Sequence, residues 1–250
     1  MRIHAGFRLG YHCNAPTEML LMLNIHPWRR GDLLTDQVLS FDRPVEAWAY
    51  EDPGDPDAVS PHAAQHDIRD LPDSVLVYLL GSRYCETDKL SDFAWAQFGA
   101  TEPGWLRVQA ICDFVHDHIA FDYQKADCTR TAFGGFNDRT GVCRDFAHLA
   151  IALCRAMNIP ARYCTGYLGD IGVPAEPAPM DFSAWFEAYL GGRWYTFDAR
   201  HNHPRIGRIL IATGRDATDV AISTSFGPSN LVRFEVVTDE IAVPEPRYGT

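Results

Sequence analysis

A thiol at the mouth of a helix is the chain's clearest chemical feature. Cys143 lies in the run Arg139-Thr140-Gly141-Val142-Cys143-Arg144-Asp145-Phe146-Ala147-His148. Beyond it Phe146, Leu149, Ala150, Leu153, Cys154 and Met157 recur at helical spacing, which predicts a helix with one apolar stripe facing a core. Gly141 breaks the chain before this helix, and Asn158 with Pro160 closes it. Cys143 therefore falls in the first turn, where unpaired backbone amides and the positive end of the helix dipole favour an anion. A thiol so placed is expected to have a lowered pKa and to serve as a nucleophile. The plainer alternative is a small buried hydrophobe.

A nucleophilic thiol needs a base, usually His, oriented by an acid. Downstream, Phe182 to Leu190 and Arg193 to Asp198 read as two strands around Gly191-Gly192, a two-residue hairpin signal. If Leu190 pairs with Arg193, Trp185 falls opposite Asp198 and Ser183 opposite Arg200. Ser183 and Asp198 then share a face as diagonal neighbours, with Trp185 beside them as a lid or substrate-stacking candidate. Arg144 and Asp145 flank the thiol, as substrate contacts or as structural pairs at the helix start.

These motifs resemble the bacterial transglutaminase-like superfamily, with its papain-like core. The resemblance rests on Gly141 to Ala147, Asn158 to Tyr167, the Ala184-Trp185-Phe186-Glu187 strand and Trp194 to Asp198, and covers roughly Ser82 to Asp198. It implies an α+β fold in which a nucleophile helix packs on an antiparallel sheet. It further implies that Cys143 is the nucleophile and Asp198 the orienting acid. The family's His precedes the Ala-Trp pair, and here that place is held by Ser183. A hydroxyl lacks useful basicity. Three readings stay open: another imidazole, His201 or His148, supplies the base; Ser183 orients water or substrate while the helix start keeps a thiolate; or the domain is a catalytically impaired peptide-binding module. His201 is expected on the strand face opposite Asp198 unless a bend after Asp198 re-aims it, and His148 is rotated well away around the helix.

The implied reaction is acyl transfer or hydrolysis at a peptide or protein carboxamide through a Cys143 thioester, with no cofactor. Cys112 with His116 and His118, and His201 with His203, lack a second well-spaced pair, so no metal site is expected. The net charge of -11 argues against nucleic-acid and membrane-surface partners. No apolar run reaches membrane-spanning length, the first residues lack a signal h-region, and the seven cysteines show no paired spacing. A cytoplasmic location follows as the expectation. Oligomeric state is not encoded in any recognisable pattern.

Strand-like runs at Arg2 to Asn14 and Met19 to Ile25, with two more between Leu33 and Trp48, suggest a small β-rich domain. With the Asp- and Pro-rich linker at Glu51 to Asp70 it would occupy residues 1–70, ahead of a core at 71–250. Helices are expected over Pro72 to Leu80, Lys89 to Phe98 and Trp105 to Ile119, and Pro244 to Thr250 reads as a loose tail.

Overall fold

The computed structural model describes residues 1–45, 62–175 and 180–241. Most of the expected linker, the tail, and the prolines at 177 and 179 lie outside the described residues. The elements run in the order β1 (Ile3–Cys13), β2 (Met19–Leu21), α1 (Asp73–Leu76), α2 (Thr87–Phe98), α3 (Trp105–His118) and β3 (Ala120–Phe121). They continue with α4 (Ala132–Asp138), β4 (Thr140–Gly141), α5 (Cys143–Ala156), β5 (Ala161–Leu168), β6 (Ser183–Leu190) and β7 (Arg193–Phe197), then β8 (Arg208–Gly214), β9 (Ser223–Ser225) and β10 (Ser229–Glu240).

Four antiparallel strands in the order β7-β6-β5-β8 form the central sheet. The β6–β7 register is the expected one, Leu190 facing Arg193 and Phe186 facing Phe197. Gly191 and Gly192, with φ of 55° and 88°, make the turn, because two successive positive φ angles match the twist of the strands. One sheet face, with Ala184, Phe186, Ala188 and Leu190, joins the main core against α5. The other face carries a buried Arg162–Glu187 pair and a separate cluster of Cys164, Trp185 and Leu210.

Helix α5 departs from the expected single stripe, since every residue from Asp145 to Ala156 is buried. The helix is central rather than superficial: it packs on the sheet and is also walled by α2, α3 and α4. Its polar residues survive there only because they are paired. Arg155 donates to the carbonyls of Leu80, Ala161 and Arg215. His148 accepts from the Ala217 amide at 3.2 Å and stacks on Tyr84.

Strands β1 and β2 do not pair with each other. β1 runs antiparallel to β10, and β2 to β9, so the chain's first strands share ladders with its last. Leu23 and Val236 are buried in the same core as α5. Residues 33–45 contain no strand, contrary to expectation. Leu34, Val38, Leu39, Phe41 and Val45 in this segment all stay exposed, so no strand face is buried there. Among the described residues no helix is long and apolar enough to cross a membrane.

The core makes folding sensitive to mild acid. His26 and His148 are fully buried; burial, reinforced by Arg162, pushes His26 down to about 4, and burial with Arg144 also lowers His148. Both rings fold neutral, while the unfolded chain binds protons near pH 6.5. The unfolded state therefore takes up more protons below that pH, and stability falls as pH falls. Urea unfolding midpoints should drop between about pH 6.5 and 5, and a flat profile there would contradict this burial.

Candidate active site

Cys143 is the first residue of α5, and extended Val142 is its cap. The Val142 amide donates to Asp145 Oδ2 at 2.8 Å, and Arg130 donates to the same oxygen at 3.2 Å. A Cβ on Gly141 would run into the Asp145 carboxylate, so only glycine lets the carboxylate close this turn. Arg144 donates to the carbonyls of Asp127 and Cys128 and lies over Tyr84. Arg144 and Asp145, expected as substrate contacts, thus hold the helix start and its neighbouring loop, because a buried cap needs its amides and charges satisfied.

Asp198, expected as the orienting acid, sits just past β7. Asp198 Oδ1 accepts from the amides of Arg200 (3.1 Å) and His201 (3.2 Å), and its carbonyl accepts from the Asn202 amide at 2.8 Å. These bonds end the strand and bend the chain, which brings the His201 ring back onto the carboxylate. His201 Nδ1 lies 2.8 Å from Asp198 Oδ2, and Arg208 donates to the same oxygen at 2.6 Å. Burial alone would raise the Asp198 carboxyl, but the His201 hydrogen bond and the Arg208 charge hold it below the usual range. Arg208 lies over Trp185, which is buried on the far sheet face. Trp185 is therefore not a cavity lid, as expected from its strand face, but packs under the Arg208–Asp198 pair.

Helix α3 grips this bend with a polar stripe that sequence reasoning missed. Asn202 Nδ2 donates to Asp113 Oδ1 at 2.8 Å, and Gln109 Nε2 donates to Asn202 Oδ1 at 2.9 Å. His116, weighed as a metal ligand with Cys112, meets the Arg200 carbonyl at 2.9 Å through Nδ1, while Cys112 is buried in the core. The spacing of Gln109, Asp113 and His116, opposite the apolar stripe of α3, was the available signal. Asn202 has a φ of 53°, a conformation asparagine tolerates better than most residues. Asn202→Ala should cost about 2 kcal/mol for two lost hydrogen bonds and a strained φ. Asn202→Gly should recover only the strain part, as differences in urea midpoints would show.

Cys143, Ser183, Arg200, His201 and Arg205 line one cavity of about 230 Å³, together with Asp170, Asp181, Tyr123 and apolar neighbours. The structure thus brings together three of the expected residues, Cys143, Ser183 and His201, with Asp198 directly behind the imidazole. His148 is fully buried and does not line the cavity. The half-buried Cys143 does not show the lowered pKa expected from the helix start. Burial pushes its thiol up to about 11, against opposing pulls from Arg200 and the Ala184 backbone N–H. Desolvation is the largest influence on the thiol, and it acts against the thiolate.

Residues 92–199 match the model of the transglutaminase-like superfamily. A solved structure of a candidate cysteine protease from Cytophaga hutchinsonii is 40% identical, with a TM-score of 0.66 over 72% of this chain and 61% of that one. An uncharacterized protein of Mycobacterium leprae is 39% identical over 84 residues, 32% of this chain and 30% of the relative. One from Mycobacterium bovis is 30% identical over 147 residues, 54% of this chain and 46% of the relative. The chain thus spans less than half the length of these mycobacterial relatives. The match to the transglutaminase-like superfamily core runs from α2 to β7 and includes the helix that begins at Cys143 and the hairpin that leads to Asp198.

Proposed function

We propose that this protein transfers or hydrolyses acyl groups at a peptide or protein carboxamide through a Cys143 thioester. The observation that carries the reading is one cavity lined by Cys143 and by the imidazole that Asp198 holds through Nδ1. His201 replaces the imidazole that the family pattern puts at position 183, from a bend one strand later. As the sulfur attacks the carbonyl carbon, the thiol proton passes to His201 Nε2 and the carbonyl electrons move onto oxygen. The α5 start favours that oxyanion. Collapse breaks the C–N bond, and the imidazolium returns its proton to the leaving amine. Water, or a second amine, then attacks the thioester and regenerates the thiol. Asp198 is a positioning residue that fixes the ring's tautomer and stabilises the imidazolium.

The relative from Cytophaga hutchinsonii, described as a candidate cysteine protease, supports the thiol chemistry. Intact mass spectrometry after mixing with N-acetylglutamine p-nitroanilide should trap an acyl adduct on Cys143, absent in Cys143→Ala. Release of nitroaniline by the Cys143→Ala variant at the parental rate would sink the proposal.

A further inference from the structure

Two side chains that line the Cys143 cavity carry a buried polar atom with no partner among the described residues. Ser183 is 7% exposed, and its Oγ has no partner among the described residues. Arg205, with a side chain 6% exposed, gives Nη2 to the Gly169 carbonyl at 3.0 Å and, more loosely, to Asp170 at 3.5 Å. Its Nε is also buried and without a partner among the described residues. Both side chains belong to the lining shared by Cys143 and His201. Buried donors are nearly always satisfied in native proteins, so an unpaired set around a cavity marks where a ligand's acceptors belong.

The two donors differ in what they suit. Ser183 shares the cavity lining with Cys143, and its neutral hydroxyl suits a carbonyl oxygen. Arg205 carries a charge in a planar fork that matches a carboxylate better than a neutral amide. Arg200 adds a second cation to the lining. Two acids share the lining: Asp170, against Arg205 at 3.5 Å, and Asp181, whose carboxyl burial raises.

We propose that the acyl donor carries a carboxylate beside its scissile carboxamide, bound by Arg205, while Ser183 donates to the scissile carbonyl oxygen. This rests on the Cys143 acyl-transfer reading and names its substrate class. A cationic side chain at that place would leave Arg205 facing a like charge, so the same residue selects and rejects.

The p-nitroanilides of N-acetylglutamate, N-acetylglutamine and N-acetyllysine test it. Glutamate should exceed glutamine in kcat/KM by roughly 10- to 100-fold, mostly through KM, as expected for one hydrogen bond to a charged group. Arg205→Met should abolish that preference and Arg205→Lys should keep part of it. Ser183→Ala should lower kcat on all three by roughly 10²-fold with KM little changed. Equal kcat/KM for the three anilides, or a preference that survives Arg205→Met, would overturn the inference. Calorimetric binding of the glutamate and glutamine anilides to Cys143→Ala, set beside turnover by the parent protein, separates the two readings. Tighter binding of the glutamate anilide, with no nitroaniline released from it by the parent protein, would sink acyl transfer and leave the carboxylate site standing. Equal binding would sink the carboxylate site alone.

Discussion

A His201→Ala variant should form the Cys143 acyl adduct roughly 10²- to 10⁴-fold more slowly than the parent protein. Burial holds the Cys143 thiol near 11, so at neutral pH the helix start alone does not supply a thiolate. A base must take the proton as the sulfur attacks, and His201 is the one imidazole among the described residues that lines the cavity. The effect should appear in single-turnover mass spectrometry and equally in the rate of iodoacetamide alkylation at neutral pH. Raising pH toward 11 should close the gap, because hydroxide then ionises the thiol directly. Adding Ser183→His to the variant should recover part of the rate by returning an imidazole to the family's usual strand position. A loss of under about tenfold in His201→Ala would remove this residue from the chemistry.

Asp198→Ala should destabilise the fold by about 3–5 kcal/mol. The carboxylate is buried and gathers four donors: the amides of Arg200 and His201, His201 Nδ1 and Arg208 Nη2. Truncation leaves a buried guanidinium without its acid, and it unties the bend that carries His201. Asp198→Asn should cost less stability, since an amide oxygen still accepts, yet it should slow acylation by reversing the preferred ring tautomer. The pH sign is set by the lowered Asp198 pKa. Its stabilisation is complete above the unfolded carboxyl value of about 3.9 and is lost as pH falls through the lower folded value. The parent's acid limb should therefore be steeper than that of Asp198→Ala, as urea midpoints across acid pH would show. Parallel limbs would mean that the Asp198 network contributes little.

Local rules made much of the fold legible. The apolar periodicity of α5, the Gly141 break before it and the Gly191-Gly192 turn each depend on neighbours within a few residues. They suffice to put Cys143 at a helix start, set the register of β6 on β7 and place Asp198 at the end of that hairpin. Three other features depend on groups distant in sequence. The bend that re-aims His201 is held by α3 through Asn202 and His116. The pairing of β1 with β10 spans nearly the whole chain. The thiol's pKa follows from how much protein covers it, which no local pattern states. The sequence by itself determined that Cys143 opens a helix and that Asp198 follows a hairpin. Only the tertiary structure decided which imidazole meets Asp198 and how far the sulfur is covered, because long-range packing sets both side-chain direction and desolvation.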